Sequence, residues 1–509
     1  MRFIAVERSP KEKFNRGGLV IKDEREKIME FETGLSFDDV LLVPGESSVL
    51  PGKADVSTRL TGRISLEKPI LSSPMDRVTE SELAIAMAVN GGLGVVHRNL
   101  GVEEQVEKVK RVKRSQSWIV RNPETVDPGT TVREARDVMN AREISGLPVV
   151  KGEKLQGIVT RRDLKFENDQ QKTVEKVMTK EVIAASPATS LEQAKSVLHE
   201  NRIEKLPLTD EKGHLTGLIT VKDIEKKEAH PETTLDENGQ LMVGAAVGPG
   251  QLDRVEELTD AGADLIAIDS AHGHSEDVID ATEEINGSFE VGLMSGNVAT
   301  EGGAEDLADA GADVLRVGIG PGSICTTRLV SGIGVPQVTA IEDACKAVKD
   351  RDVTVVADGG IRYSGDITKA LACGAGAVML GNLLAGTDES PGRIVFRRGR
   401  KYKEYRGMGS VSAMEERKKN RYGQHPGKRE KYVPEGVEGL VPYKGKVSEV
   451  LHQLVGGLRS GMGYIGAGSI QNIRKAKMIK VTEKGREESR PHDIRVTEDS
   501  PGYRGGSSG

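Results

Sequence analysis

Eight short apolar segments recur along the chain, and each ends in a small or polar residue before a helix-like stretch. The segments begin at Pro69, Gly92, Leu241, Asp264, Glu290, Asp313, Val353 and Ala377. Near-continuous apolar strands that alternate with helices are typical of a parallel sheet covered by helices. Eight such units predict an α/β fold, a (β/α)8 TIM barrel, rather than an open doubly wound sheet.

The interval between the second and third segments is too long for a loop, and it contains an internal repeat. Its first copy comprises 131–139, 146–150 and 157–163, and its second comprises 190–198, 205–209 and 217–223. This insert resembles a tandem CBS pair, the cystathionine-β-synthase-type module, and the resemblance implies purine nucleotides as effectors. The candidate nucleotide contacts are Thr160, Asp163, Thr220 and Asp223. The alternative is that both aspartates only cap the helices that follow them.

These features divide the chain into predicted domains. An N-terminal extension (1–30) precedes the first part of the barrel (31–114), and two CBS domains follow (115–172 and 173–232). The second part of the barrel (233–500) includes a polar flap (412–434), and a Gly/Ser-rich flexible tail (501–509) ends the chain. We interpret 415–431 as loop-like, which suits a lid above a barrel mouth.

Composition excludes several classes of protein. Three cysteines in 509 residues provide no disulfide framework, which favours a reducing cytoplasmic location. Apolar runs are far shorter than the roughly 18 residues of a membrane span. The net charge of −6, from 72 basic and 78 acidic residues, shows no bias toward nucleic acid. We therefore expect neither a membrane nor a nucleic-acid partner.

Cys325 is the strongest candidate for a chemical role. It lies in a loop rich in glycine (318–328) that follows the sixth apolar segment. Glycine lets the backbone turn tightly and approach a ligand closely, and a thiolate on such a loop can act as a nucleophile. Cys345 and Cys373 lie in helix-like surroundings, and we interpret both as structural.

Three loops predict a site for a ligand that carries phosphate. Gly359 and Gly360 follow the seventh segment, Gly381 follows the eighth, and Ser323 lies in the loop after the sixth. Bare glycine amides after the last two strands of a barrel commonly meet phosphate oxygens. Asp358 is better suited to a ribose hydroxyl, because a carboxylate repels phosphate. Taken one at a time, each set of glycines has a purely structural alternative.

The chain resembles the IMP dehydrogenase / GMP reductase family with tandem CBS domains, over about residues 31–500. The matching runs are 37–44, 318–328, 357–366, 405–410, 433–439 and 451–461. The resemblance implies NAD-dependent oxidation of IMP to XMP, a step of guanine nucleotide biosynthesis. Cys325 would form a covalent thioimidate, hydride would pass to NAD+, and water would then be activated by Thr327 and by Arg421 of an Arg421-Tyr422 flap motif.

The resemblance also implies binding residues. IMP would contact Ser73, Ser323, Asp358, Gly359, Gly360, Gly381, Asn382, Tyr405, Gly407, Met408, Gly409 and Glu435. NAD would contact Asp269, Ser270, Asn297 and Gly318. Potassium would bind carbonyls of Gly320, Gly322 and Cys325, together with Glu488, Ser489 and Arg490 of a neighbouring subunit. That shared ion implies a homotetramer, which could pair into an octamer through the CBS lobes.

Some positions depart from the family pattern, and two rival functions remain. Asn382 stands where the family commonly has serine, Arg77 where it has threonine, and Met294-Ser295 and Arg490 are unusual. A GMP reductase would share the barrel and the cysteine loop; the Arg421-Tyr422 motif and the insert argue against it. A catalytically silent nucleotide sensor would be expected to lack Cys325 or Arg421, and both are present.

Overall fold

The computed structural model describes residues 32–115, 120, 123–142, 144–222, 224–225, 230–422 and 433–492, with the backbone alone for 417–422. The predicted extension (1–30), the tail (501–509), Asp223 and residues 423–432 of the predicted flap lie outside the described residues. The elements given below all belong to one structural unit that begins at Leu35.

Eight parallel strands close into a barrel, which confirms the predicted fold class. The strands are β1 (Ile70–Ser72), β2 (Leu93–Val96), β3 (Val243–Val247), β4 (Leu265–Ile268), β5 (Gly292–Val298), β6 (Val314–Val317), β7 (Thr354–Asp358) and β8 (Ala377–Leu380). Each pairs with the next, and β8 returns to β1 through Leu380 and Ser72. All eight predicted apolar segments are therefore barrel strands, and their order around the barrel follows the chain.

Helices surround the barrel and bury one face against it. They are α1 (Ser81–Val89), α2 (Val102–Ser115), α3 (Leu252–Asp260), α4 (Glu276–Ser288), α5 (Glu301–Asp309), α6 (Gln337–Ala347), α7 (Ser364–Ala372) and α8 (Val447–Ile465). In α2 the buried positions Gln105, Val106, Val109, Val112 and Lys113 recur at helical spacing. Val106, Val109 and Val112 of α2 therefore face the core.

A hairpin that the sequence analysis did not predict closes the amino end of the barrel. Its strands, Thr58–Arg59 and Ser65–Leu66, are paired antiparallel. Leu60, Ile64 and Leu66 of this hairpin are fully buried, and they pack against inward-facing barrel residues such as Leu71 and Met379. The barrel interior is thus a filled core, and access from solvent is left to the carboxyl ends of the strands.

The insert folds as two similar halves, as the repeat indicates. The first half contains helix Val132–Ala141, the paired strands Gly146–Lys151 and Lys154–Thr160, and helix Arg161–Leu164. The second contains helix Leu191–Glu200 and the paired strands Lys205–Thr209 and Leu215–Thr220. Val120 bridges to Leu218, while Thr179 bridges to Ile158, so each half adds a segment to the sheet of the other. The CBS assignment and the domain boundaries stay predictions.

Additional elements cover the ends of the barrel. Strand Val40–Leu42 pairs with Met478–Lys480, and Ile394–Arg397, Arg400–Arg406 and Glu438–Pro442 form a three-stranded sheet. Short helices are Phe37–Asp39, Pro51–Lys53, Val174–Lys176, Thr327–Val330, Asn382–Ala385, Ile470–Ile473 and Glu483–Glu488.

The flap region differs from the loop-like interpretation. Residues Val411–Tyr422 form a helix, which we call the flap helix. Glu, Lys and Arg favour helix, so a polar composition alone did not distinguish a solvated helix from a loop. No helix among the described residues is long and apolar enough to span a membrane.

Candidate functional site

A cavity of about 600 Å³ lies at the carboxyl ends of the barrel strands. Loops after β1, β2, β4, β5, β6, β7 and β8 line it, together with Tyr405, residues 407–409 and residues 435–436. The lining includes every residue predicted to bind IMP or NAD, and also Cys325, Thr327, Gly320 and Gly322. Segments far apart in the chain thus meet in one concave site, as ligand sites of parallel barrels commonly do.

The loop that carries Cys325 is anchored at both sides. Gly318 has a φ of +145°, and a Cβ there would lie 2.1 Å from the carbonyl oxygen of Asp358. Only glycine therefore lets the end of β6 pass this close to β7. On the other side, Cys325 bridges to Gly436, and the Val437 N–H donates to the Ile324 carbonyl oxygen at 3.0 Å.

The Cys325 thiol begins a chain of hydrogen bonds. Its Sγ donates to Thr327 Oγ1 at 3.2 Å, and Thr327 Oγ1 donates to Glu435 Oε2 at 2.9 Å. Thiol, hydroxyl and carboxylate are therefore aligned so that a proton leaving the sulfur side can end on Glu435. The resemblance implies only a contact of Glu435 with the purine base; its contact with Thr327 was not predicted, because 108 positions separate the two residues.

The other two thiols have a different environment. Burial raises the pKa of both Cys345 and Cys373 to about 12, so they stay protonated near neutral pH. Neither lines the cavity. Both observations fit the structural interpretation of these residues.

A buried arginine links the two predicted ribose-binding carboxylates. Arg316 Nη1 donates to Asp269 Oδ1 and Arg316 Nε donates to Asp358 Oδ2, both at 2.8 Å. Burial lowers the pKa of Arg316, but the two carboxylates outweigh burial and raise it overall. Asn297 Nδ2 also donates to Asp358 Oδ2, at 2.9 Å, and Arg98 Nε donates to Asp269 Oδ2, at 3.2 Å.

Arg316 was not among the predicted site residues, although the sequence contains a signal for it. It is the one charged residue in strand β6, whose other residues are Val314, Leu315 and Val317. A charge inside a buried strand needs a partner, so its position alone pointed to acidic residues at the neighbouring strand ends.

The predicted phosphate loops have an open backbone. Gly359 and Gly360 have φ values of +91° and +78°, which favour glycine. A Cβ at Gly381 would lie 2.9 Å from the Tyr405 hydroxyl, so glycine is also needed after β8. Burial raises the pKa of Tyr405, against a hydrogen bond with Ser323 that lowers it. Asn382 begins the short helix after Gly381 and lines the cavity beside it.

Other predicted residues lie away from the cavity. Glu488 ends helix Glu483–Glu488, and Ser489 and Arg490 follow it as exposed residues. Thr160 is the N-cap of helix Arg161–Leu164, and Asp163 inside that helix accepts the Thr160 hydroxyl at Oδ2, at 2.7 Å. Asp163 therefore takes part in capping, but as the partner of the cap and not as the cap that the alternative expected. Thr220 ends the equivalent strand of the second half. For Arg421 and Tyr422 only the backbone, within the flap helix, is described.

Comparison with known proteins matches this architecture to one family. A model of the IMP dehydrogenase / GMP reductase domain matches residues 34–492. The chain belongs to the IMP dehydrogenase / GMP reductase family. This confirms the predicted family and the prediction that the chain is an enzyme, and the roles of individual site residues stay predictions.

Two relatives are similar over almost the whole chain. The inosine-5'-monophosphate dehydrogenase of Aquifex aeolicus is 54% identical over 483 residues, which cover 93% of this chain and 98% of that protein. The inosine-5'-monophosphate dehydrogenase of Thermoplasma acidophilum is 52% identical, with coverage of 94% and 98%.

A solved structure corrects one argument made from the sequence. GMP reductase from Trypanosoma brucei, a cysteine-to-alanine variant in complex with guanosine 5'-monophosphate, is 41% identical with a TM-score of 0.82. The match covers 91% of this chain and 99% of that one, so it has to include most of residues 115–232. The insert therefore does not argue against a GMP reductase, and the discrimination depends on the site.

Proposed function

We propose that the chain is an IMP dehydrogenase, which oxidises IMP to XMP with NAD+ in guanine nucleotide biosynthesis. The observation that carries this proposal is the aligned chain of Cys325, Thr327 and Glu435 beside glycine loops suited to phosphate. The identity of above 50% to inosine-5'-monophosphate dehydrogenases over most of the chain supports it further.

IMP would bind with its phosphate at the glycine loops. Amides near Gly360 and Gly381 and the Ser323 hydroxyl are suitable donors, and Asn382 offers an amide where the family commonly has a hydroxyl. Among the described residues Asp358 Oδ1 has no hydrogen-bond partner, and Oδ2 is held by Arg316 and Asn297. The free oxygen can accept from a ribose hydroxyl. Tyr405 and Ser73 flank Gly381, and Met408 and Gly409 lie toward the base.

In the first step, Cys325 Sγ forms a bond to C2 of the purine. The thiol proton leaves through Thr327 toward Glu435, and the C2–H bond then breaks with both of its electrons. NAD+ held by the residues predicted for it, Asp269, Ser270, Asn297 and Gly318, would supply the acceptor for this hydride, and NADH would be released. The product on the protein is a covalent thioimidate at C2. Its formation divides one difficult reaction into two easier steps.

In the second step, water adds to C2 and the C2–S bond breaks, which releases XMP and regenerates the cysteine. A base must take a proton from the water. Once Glu435 has released the proton of the first step to solvent, Thr327 Oγ1 can pass this second proton to it, since the two residues share a hydrogen bond of 2.9 Å. By resemblance Arg421 is the second base, and Tyr422 belongs to the same motif; both side chains lie outside the described part of the flap helix.

The residues predicted for NAD fit a dinucleotide. Asp269 and Ser270 lie at the end of β4 and Asn297 at the end of β5, beside Gly318. Arg98 and Arg316 both donate to the Asp269 carboxylate, which fixes its orientation. An oriented carboxylate suits a ribose diol.

Potassium and oligomerisation are linked in this proposal. Carbonyl oxygens of Gly320, Gly322 and Cys325 are hard ligands that suit a monovalent cation. The Gly322 carbonyl oxygen already accepts from the Cys325 N–H at 3.1 Å and keeps a second lone pair. Exposed Glu488, Ser489 and Arg490 would complete the site from a neighbouring subunit, in a homotetramer that could pair into an octamer.

The insert would bind purine nucleotides as effectors. Thr160 ends one strand, and Asp163 lies in the short helix Arg161–Leu164 that follows it. Thr220 ends the corresponding strand of the other half, with Asp223 beyond it in sequence. Because Thr160 and Asp163 already bond to each other, a nucleotide would have to use the remaining lone pairs of Asp163. The three free cysteines support a cytoplasmic setting.

The test is NADH formation by the purified protein with IMP and NAD+, with and without potassium. Turnover stimulated by potassium and abolished in Cys325→Ala is the expected result. In Arg421→Ala we expect a burst of NADH without comparable steady turnover, because hydride transfer would precede the impaired hydrolysis. Absence of NADH from the unmodified protein, with potassium present, would refute the proposal.

GMP reductase is the second candidate, because the Trypanosoma brucei GMP reductase matches this chain over the insert as well as the barrel. That reaction would consume GMP and reduced nicotinamide cofactor and release ammonia. Incubation with GMP and NADPH or NADH separates the two functions. Oxidation of the cofactor with GMP, together with no reduction of NAD+ by IMP, would favour the reductase.

A further inference from the structure

A buried arginine ties the flap helix to the loop after β1. Arg406 is 6% exposed. Its Nε donates to Asp76 Oδ2 at 3.1 Å, and its Nη1 donates to Ser412 Oγ at 2.7 Å in the first turn of the flap helix. Its Nη2 also bonds to Glu416, one turn further along the same helix. One guanidinium therefore holds the barrel loop and the helix together.

A second arginine faces the same glutamate from the barrel. Arg77 Nη2 lies 4.0 Å from Glu416 Oε1, and Arg77 directly follows Asp76 in the loop after β1. Met75, in the same loop, lines the functional cavity. Glu416 of the flap helix therefore lies beside two arginines, Arg77 and Arg406, which belong to segments that also line the cavity.

The position of Glu416 relates this contact to the proposed chemistry. Arg421 lies five residues further along the same helix, whose backbone continues without interruption to Tyr422. A rigid helix transmits the placement of one residue to another within two turns, and small misplacements of a catalytic group cost much of its rate.

We propose that Glu416 is a positioning residue for the hydrolytic step: by bonding Arg406 and Arg77, it sets where the flap helix holds Arg421. The inference rests on the proposed function, because it assigns Glu416 to the second of two steps. The first step depends on Cys325, whose side chain bonds to Thr327, whereas Glu416 bonds to Arg406 outside this chain of hydrogen bonds.

Glu416 can be replaced with little disturbance of the residues around it. Its side chain is about half exposed, at 48%, so Gln can replace it without leaving a cavity. Arg406 keeps Asp76 and Ser412 as partners after the change, and a buried, unpaired charge is thereby avoided. Glu404→Gln is a matched control: Glu404 pairs with the exposed Arg393 at 2.8 Å and makes no hydrogen bond to the flap helix.

The experiment separates the two steps by rapid mixing of enzyme and IMP with NAD+. For Glu416→Gln we expect steady turnover to fall about tenfold, while the rate of the first NADH burst is unchanged within about twofold. Arg77→Gln should change the same step in the same direction by a smaller factor. Glu404→Gln should change neither step. Equal losses in both steps, or no loss in either, would overturn the inference.

A second measurement does not depend on the reaction. Amide hydrogen exchange over 411–422 should be faster in Glu416→Gln than in the unmodified protein and in Glu404→Gln. If the unmodified protein forms no NADH from IMP, the proposed function fails, and this exchange result still shows whether Glu416 anchors the helix. Unchanged exchange would refute the anchoring itself.

Discussion

Arg316 connects residues of two different predicted binding subsites. It bonds Asp269 and Asp358, which we assign to the NAD and IMP subsites, and it is buried within β6. Its two carboxylates compensate for the desolvation of its charge, and in return they are held in one orientation. The two ligands would therefore meet a rigid pair of acceptors, and neither acceptor has to be ordered when a ligand arrives.

Replacement of Glu435 tests the proton chain at the site. In Glu435→Gln the amide can still bond Thr327 but accepts a proton poorly, so hydrolysis should slow about tenfold, with Arg421 as the remaining base. The NADH burst from rapid mixing should slow together with steady turnover, because the Cys325 thiol proton leaves by the same route in the first step. If Glu435→Gln turns over at the normal steady rate, Glu435 is not an acceptor in this step.

Glu80 predicts a specific dependence of stability on pH. His97, with Nε2 3.7 Å from Glu80 Oε1, and Lys108, with Nζ 2.6 Å from Oε2, lower the pKa of Glu80 to about 2 despite burial. A lowered carboxyl pKa stabilises the fold above the unfolded value of about 4.5, and this stabilisation is lost as pH falls toward 2.

Glu80→Gln should therefore reduce the free energy of unfolding by about 1–2 kcal/mol at neutral pH, since Glu80 is partly solvated. The difference from the unmodified protein should shrink as the pH falls below about 4.5. Urea unfolding at several pH values measures it, with Glu449→Gln on an exposed face as the control. A difference that grows toward low pH would contradict the assignment.

At the scale of elements, the hairpin at 58–66 and the flap helix have opposite roles. The hairpin buries Leu60, Ile64 and Leu66 at the amino end of the barrel and completes its core. The flap helix contacts the other end through the fully buried Ala413 and through Ser412 and Glu416, which bond to Arg406. Apolar burial stabilises the amino end, whereas at the other end the half-exposed Glu416 can exchange its ion pairs for water more easily.

Leu66→Ala should destabilise the barrel by about 2–5 kcal/mol. The substitution removes a fully buried side chain, and the residues of the closed barrel end cannot move in to fill the cavity. Leu50→Ala, at a site that is 67% exposed, should change stability by less than about 0.5 kcal/mol. Chemical denaturation followed by circular dichroism compares the two variants. Similar stabilities would mean that the hairpin is not part of the barrel core.

At the scale of the molecule, the insert and the barrel have separate hydrophobic cores. Residues such as Leu147 and Leu206 belong to the two cores of the insert, and no residue of these clusters belongs to those of the barrel. The two ends of the insert lie close together on the barrel side, since Lys113 Nζ is 2.9 Å from Asp236 Oδ2. A module joined in this way can regulate without being needed for folding.

Replacement of residues 115–232 by a short linker should leave a folded barrel that still oxidises IMP. Loss of the response to added purine nucleotides, with turnover retained, is the expected result in a steady-state NADH assay. An inactive but folded deletion variant, with native circular dichroism, would show that the insert contributes to the site itself.

Much of the fold was predictable from local patterns. The apolar strands and the helices with a buried stripe are visible in the sequence as periodic patterns. The two halves of the insert are visible as a repeat. The hairpin at 58–66 was missed because its strands are only two residues long, too short for alternation to be visible. The flap helix was missed because its polar composition shows no apolar face.

By itself, the sequence determined the number of barrel strands, the cysteine loop and the glycine loops, because strand pattern and glycine position act over a few neighbouring residues. Only the tertiary structure decided that Arg316 joins Asp269 to Asp358, that Thr327 bonds Glu435, and that Arg406 and Arg77 meet Glu416. Except for the contact of Arg406 with Glu416, which spans 10 positions, these contacts join residues at least 42 positions apart in the chain. Closure of the barrel brings such residues together. No local sequence pattern shows which distant residue a buried charge will pair with.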